Sequence, residues 1–255
     1  MSEKILKVAS LKAAYGEHTA MEDISFDMAP AEIVCIVGES GSGKSTLVKA
    51  IHGMSELDVT GGSIEFDGRD ITHLSHAERR ELMGTGIALI PQNPQASFNP
   101  IRRYEKQFRE ALAGHDMPYD EADICKRLAR IGIADGKGVL ANRPYELSGG
   151  MNQRIAIAAA MMFEPKLLMC DEATSALDVT TSGAVVDELL KIRDSLGTSI
   201  LMVTHHLGIA KRMADSIGIM KNGRMIEYGP AKKIFDEPRE DYTKNLMRDV
   251  PRIKK

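Results

Sequence analysis

The fold turns on one stretch, Val34-Cys35-Ile36-Val37-Gly38-Glu39-Ser40-Gly41-Ser42-Gly43-Lys44-Ser45-Thr46. Its first four residues are a short apolar run suited to a buried parallel strand. Gly38 to Ser45 fits G-x-x-x-x-G-K-[ST], and Leu47 to His52 has the composition of a helix. Strand, glycine loop and helix in that order let the backbone N–H groups from Gly38 to Thr46 curl around phosphate at a helix N-terminus. Lys44 then sets its ammonium on the β and γ phosphates, and the Ser45 hydroxyl becomes a ligand for Mg2+. A plain glycine turn needs neither the lysine nor the hydroxyl at this spacing.

Outward from this loop, period-2 patterning predicts strands at Leu6 to Leu11, Ile24 to Met28, Ile33 to Val37 and Ser63 to Phe66, with a turn at Asp67-Gly68. From Arg102 to about Arg130 the chain turns charged and helix-forming, broken by Gly114, Pro118 and Gly132, which reads as a small helical subdomain. Then follow a helix (Arg154 to Phe163), a strand (Leu167 to Cys170), a helix (Ser182 to Leu196), a strand (Ser199 to Val203) and a helix from Leu207. That alternation is the pattern of a parallel α/β sheet. Leu167 to Glu172 is an apolar strand delivering two carboxylates at its C-terminal end, where ligands bind in open α/β sheets. Asp171 suits the Mg2+ shell, and Glu172 suits a general base acting on water.

Composition bounds the rest. The 255 residues, 43% hydrophobic, suffice for one sizeable core and are short for two full domains. The 33 basic and 36 acidic residues leave a net charge of −3, with no electrostatic footprint for nucleic acid. The longest apolar run, Ile155 to Phe163, is about half of the ~18 residues a membrane span needs, and the N-terminal MSEKILKVAS lacks the features of a secretory signal. A cytosolic chain is therefore expected. Cys35, Cys125 and Cys170 are too scattered for a disulfide framework or a structural zinc site.

Three further segments, Leu147-Ser148-Gly149-Gly150-Met151-Asn152-Gln153-Arg154, Ser175-Ala176-Leu177-Asp178 and Thr204-His205, make the chain recognisable. With the phosphate loop and the Asp171-Glu172 strand, in this order, the set resembles the nucleotide-binding subunit of ABC transporters over essentially the whole length. The resemblance implies a P-loop NTPase with a RecA-like parallel sheet, an N-terminal antiparallel β subdomain and an inserted α-helical subdomain. It places β subdomain and core in 1–92 and 155–255 and the helical subdomain in 93–154. The implied cofactors are ATP and Mg2+, and the implied activity is ATP hydrolysis. Ser148, Gly149 and Gly150 would bind the γ phosphate of ATP held by an opposing subunit, and Asp178 would cross that interface. Gln92 would reach Mg2+ and the attacking water, His205 the γ phosphate, and Tyr15 would stack on adenine. Met151, Ala173, His206 and Ala31 depart from the family's commoner residues, and none removes a catalytic group. Side chains of neighbours such as His205 and His206 are expected to diverge, which disfavours a metal site there.

Gln92 to Pro100 (QNPQASFNP) and Pro238 to Leu246 (PREDYTKNL) are similar to segments of the peptide and nickel importer ATPases, whose loop commonly reads GESGSGKS as here. The C-terminal cysteine cluster of longer members has no counterpart, which favours the short form. The resemblance implies a second, identical or homologous ABC ATPase as partner, two membrane permeases, an extracellular solute-binding protein engaged indirectly, and a place at the cytoplasmic face of the membrane. Cargo stays open between peptide, nickel and other solutes. A soluble assembly ATPase is the main alternative; DNA-repair and chromosome-structure ATPases are disfavoured because no coiled coil or zinc module is inserted.

Overall fold

The computed structural model describes residues 4–173 and 179–248. In chain order the strands are β1 (Leu6–Tyr15), β2 (His18–Met28), β3 (Ile33–Val37), β4 (Asp58–Phe66), β5 (Arg69–Asp70), β6 (Ile87–Ile90), β7 (Leu167–Asp171), β8 (Ser199–Thr204), β9 (Ser216–Lys221) and β10 (Arg224–Pro230). The helices are α1 (Lys44–His52), α2 (His76–Leu82), α3 (Tyr104–Ala113), α4 (Glu121–Arg130), α5 (Gly136–Ala141), α6 (Gly149–Ala160), α7 (Val179–Leu196), α8 (Leu207–Met213), α9 (Ala231–Asp236) and α10 (Asp241–Arg248).

Two sheets form, as expected of an α/β chain with an antiparallel N-terminal part. One is antiparallel, in the order β2-β1-β4-β5; the other runs β10-β9-β3-β8-β7-β6 and is parallel except for β10. The strand before the phosphate loop, β3, is flanked by β8 and β9, the parallel strands that come last in the chain. All five of its residues are buried. Successive side chains face opposite layers: Ile33, Cys35 and Val37 join the helix-covered core, whereas Val34 and Ile36 join the core shared with α1 and the antiparallel sheet. Each fully buried aliphatic side chain contributes about 1.5–3 kcal/mol, enough to offset the ~1–2 kcal/mol of backbone ordering per residue.

The predicted β3 matches residue for residue; other elements run longer. β9 and β10 were absent from the sequence expectation although Asn222-Gly223 is a strong hairpin signal, and both residues have the positive φ (49° and 75°) of a type I′ turn. Ala31 adopts the left-handed conformation (φ 58°) that glycine would, and its N–H donates to Ser199 Oγ at 2.9 Å, so local geometry is kept at a cost of about 1 kcal/mol.

The region between β6 and β7 is helical. Tyr104, Phe108 and Leu112 bury one face of α3, and Ile124 and Leu128 do so for α4. Helix α6 starts five residues before the predicted Arg154, because Ser148 caps it and accepts the Met151 N–H at 3.3 Å. A buried Asn152 ties α6 to α3: its Oδ1 accepts from the Tyr104 hydroxyl, and its Nδ2 donates to the carbonyls of Pro144 (2.9 Å) and Leu147 (3.4 Å). Replacing Asn152 with Leu strands these buried groups and is expected to lower the unfolding free energy by about 2–4 kcal/mol, measured by urea denaturation; a loss below about 1 kcal/mol would contradict the role given to the amide.

Candidate functional site

Parallel register sets the site. Val37 pairs with Thr204, Val203 with Asp171, and Ile90 with Cys170, so β3, β8, β7 and β6 end at nearly one level. Their carboxyl ends release the phosphate loop, His205, Asp171-Glu172 and Pro91-Gln92 side by side.

Why Gly38 is glycine is a packing matter. A Cβ there would sit 2.2 Å from the Met220 carbonyl oxygen of β9, so no side chain fits. Gly41 and Gly43 are needed instead for their positive φ, 81° and 100°. Lys44 is buried, and its ammonium donates to the carbonyls of Gly38 (2.9 Å) and Glu39 (2.8 Å) and to Ser42 Oγ (3.5 Å). Burial lowers its pKa from the ordinary lysine value, against the opposing pull of Glu172 and Asp171. Ser45 Oγ donates to Asp171 Oδ1 at 2.9 Å, which places two hard oxygen ligands together across the 126 residues that separate them. Burial raises the Asp171 pKa, and the Ser45 hydroxyl partly counters it. A divalent cation would relieve that burial cost, and this oxygen pair fits Mg2+.

Glu172 has a φ of 49°, left-handed for a residue with a side chain, while its N–H still donates to the Val203 carbonyl at 2.9 Å. The kink costs about 1 kcal/mol and turns the carboxylate out of the strand's alternation. Gln92 Nε2 donates to its Oε2 at 3.3 Å, and His205 Nδ1 lies 3.2 Å from its Oε1. Both carboxylate oxygens are therefore held by groups from other strand ends. The rings of His205 and His206 do not diverge as expected; they touch, with centroids 4.1 Å apart and planes tilted by 40°. Burial, then His205, lowers the His206 pKa, which disfavours two imidazolium ions in contact. Among the described residues no cluster of three or more His, Cys, Asp or Glu is placed to hold a metal ion.

A cleft of about 390 Å³ is lined by Tyr15, Ser40, Gly41, Gly43, Lys44, Ser45, Thr46, Gln92 and Glu172, all named from the sequence, and by His18 and Ala20 of β2, which were not. Tyr15 closes one side, with Lys49 Nζ 5.7 Å from its ring centre. A larger cleft of about 660 Å³ between α4, α6 and α7 contains neither the loop nor these carboxylates. Ser148, Gly149 and Gly150 lie at the start of α6 and do not line the 390 Å³ cleft. Asp178 lies outside the described residues. Sequence reasoning also missed three neighbours of the loop: Met220, Gly223, whose N–H donates to the Ser42 carbonyl at 3.0 Å, and Tyr242, whose hydroxyl accepts the Glu39 N–H at 3.4 Å. They are some 180–200 positions from it along the chain, and only the PREDYTKNL segment had drawn notice.

Comparison with known proteins gives one consistent result. The family description "ABC transporter" matches residues 21–175. The dipeptide transport ATP-binding protein DppD of Bacillus subtilis is 37% identical, over 98% of this chain and 78% of its own length. The oligopeptide transport ATP-binding protein AmiE of Streptococcus pneumoniae (strain ATCC BAA-334 / TIGR4) is 36% identical, over 92% and 68%. Among solved structures, a component of the ABC transporter complex cbiONQ from Clostridium perfringens superposes with a TM-score of 0.79 at 28% identity, over 99% of this chain and 98% of that one. A dimeric ATP-binding cassette bound to ADP and Pi shares the fold, with a TM-score of 0.77 at 24% identity, over 89% and 98%.

The two kinds of glycine predict different costs. Gly38→Ala must displace β9 backbone and is expected to lose about 3 kcal/mol of stability, whereas Gly41→Ala, whose added Cβ meets nothing within 4 Å, loses about 1 kcal/mol from φ alone. Urea midpoints of the two variants check the order; equal losses would contradict the packing explanation for Gly38.

Proposed function

The chain belongs to the ABC transporter ATP-binding family, and from that premise we propose that it is the ATP-hydrolysing subunit of an importer that takes up short peptides. The observation that carries the chemistry is the Glu172 carboxylate held between Gln92 and His205 beside the Lys44 loop. The cargo class is supported by the relatives at 36–37% identity, which are dipeptide and oligopeptide transport ATP-binding proteins.

When bound, Mg-ATP would supply the phosphoanhydride to be cleaved and a divalent charge to offset that of the phosphates. The loop N–H groups and Lys44 would hold the phosphates, Ser45, Asp171 and Gln92 would supply oxygen ligands to the metal, and Tyr15 would offer an apolar face to adenine. Glu172 takes the proton of the attacking water. Gln92 and His205 keep its two oxygens aimed, and His205 contacts the γ phosphate.

Ser148, Gly149 and Gly150 present backbone N–H groups and a helix dipole at an exposed helix start, an anion site away from the 390 Å³ cleft. In this reading a second ABC ATPase, identical or homologous, brings its own Ser148-type segment to this loop, and Asp178 couples the two sites. Two permeases dock against the groove after Gln92. That groove, about 330 Å³, is floored by Leu89, Pro91, Phe98, Phe108 and Ala159, and Ile101 nearby is 75% exposed. Such an apolar slot suits a short helix from each permease, with Gln92 next to its Pro91 wall. No helix among the described residues is long and apolar enough to cross a membrane. The chain then works as a peripheral subunit on the cytoplasmic face, and the extracellular solute-binding protein and the cargo reach it only through the permeases.

Glu172→Gln is expected to cut steady-state ATP hydrolysis at least about 100-fold while nucleotide affinity stays within about twofold. Near-normal hydrolysis would remove Glu172 from the role of base. In cells, the same substitution should abolish uptake of labelled di- and tripeptides, and a tagged chain should co-purify with two polytopic membrane proteins. Loss of labelled nickel uptake with peptide uptake intact would reassign the cargo, and recovery of soluble enzyme subunits alone would overturn the transport reading.

A further inference from the structure

The C-terminal segment around Tyr242 reaches the phosphate loop, and neither its sequence likeness nor the reaction described above accounts for that contact. Three C-terminal elements press on the loop's outer flank. The Met220 carbonyl at the end of β9 abuts Gly38, the Gly223 N–H in the β9–β10 turn donates to the Ser42 carbonyl at 3.0 Å, and the Tyr242 hydroxyl of α10 accepts the Glu39 N–H at 3.4 Å. Glu39 and Ser42 lie on either side of Gly41, where the loop turns back.

Tyr242 is itself fixed from three directions. Its ring lies under the Lys221 ammonium, 4.4 Å from the ring centre, a cation–π contact from the β9–β10 turn. Leu246 and Met247, one turn further along α10, pack with it against the helix-covered core. The start of α10 is tethered by Glu227 of β10, whose carboxylate accepts the N–H groups of Arg239 (3.1 Å) and Glu240 (3.4 Å). Burial, with a smaller push from the Glu39 carboxylate, raises the phenol above its ordinary pKa although the Glu39 amide opposes it, so the group stays neutral at physiological pH.

We propose that α10 is a strap across the phosphate loop and that Tyr242 is a positioning residue for the nucleotide, its hydroxyl setting the Glu39 peptide and thereby the curl of the loop. This rests on reading the loop as the phosphate cradle of an ATPase. A flexible loop pays the cost of ordering when phosphate binds, and a loop held in place by outside contacts has already met it. The strap therefore acts on binding, and the chemistry at Glu172 is untouched.

Tyr242→Phe keeps the ring, its packing and the Lys221 contact and removes only the hydroxyl. It is expected to weaken binding of a fluorescent ATP analogue and to raise KM for ATP, each about three- to tenfold, the range one net hydrogen bond gives. Meanwhile kcat stays within twofold and the nucleotide-free urea midpoint is little changed. Unchanged Kd and KM overturn the proposal, and so does a loss of affinity matched by a loss of kcat and of the urea midpoint, since that is what general destabilisation produces. Lys44→Ala, measured alongside, separates the two levels. If it loses ATP binding while Tyr242→Phe is silent, the strap alone fails; if it keeps parental affinity, the phosphate-cradle reading fails and takes the strap with it.

Discussion

The level at which four parallel strands end is the constraint on which the rest of this molecule depends. Hydrogen bonds between β3, β8, β7 and β6 bring residues from position 37 to position 205 to one edge. A slip of one residue would turn every buried side chain of these strands to the opposite layer, so the two cores enforce the register as firmly as the ladder does. Precision at the site is thus inherited from packing well below it. The Ser45–Asp171 contact at 2.9 Å needs no tuning of its own once β3 and β7 lie on either side of β8.

Within that frame the site concentrates unfavourable terms. A buried ammonium, a half-buried carboxylate and a left-handed glutamate stand side by side at the strand ends, each disfavoured alone. Lys44 and Asp171 shift in opposite directions for the same reason, since burial penalises whichever form is charged. Such arrangements persist where the surrounding structure over-determines them, and here the sheet and its two layers do so.

Much of this was legible in the sequence, and the exceptions share a cause. The Lys44 loop, the Asp171-Glu172 strand and the helical region were readable because each is a local pattern whose meaning lies within a dozen residues. Tyr15, Gln92 and His205 are single residues in unremarkable surroundings, and only the resemblance pointed to them. The motif reads Gly38 only as part of a loop that curls around phosphate, whereas its requirement is steric and is imposed by Met220. The tilted ring contact of His205 and His206 escaped because the chain leaves the strand at Thr204, where alternation stops governing direction. Tyr242 escaped because nothing near it in the chain mentions the loop it touches.

The middle position of β3 also has a consequence in time. The loop at 38–45 leaves the ribosome well before β8 and β9 on either side of its strand, and before the Gly223 turn against its flank. At about 5–20 residues per second, roughly 10–40 s of synthesis separate the loop from these neighbours. Contacts of such long sequence separation cannot form earlier. A nascent chain of this protein therefore carries its glycine loop without the walls that shape it until β8, β9 and the Gly223 turn have emerged, and only then is the loop held in the form described above. Prematurely ended chains that stop before β9 would accordingly be unable to sequester ATP or to compete with complete copies for it.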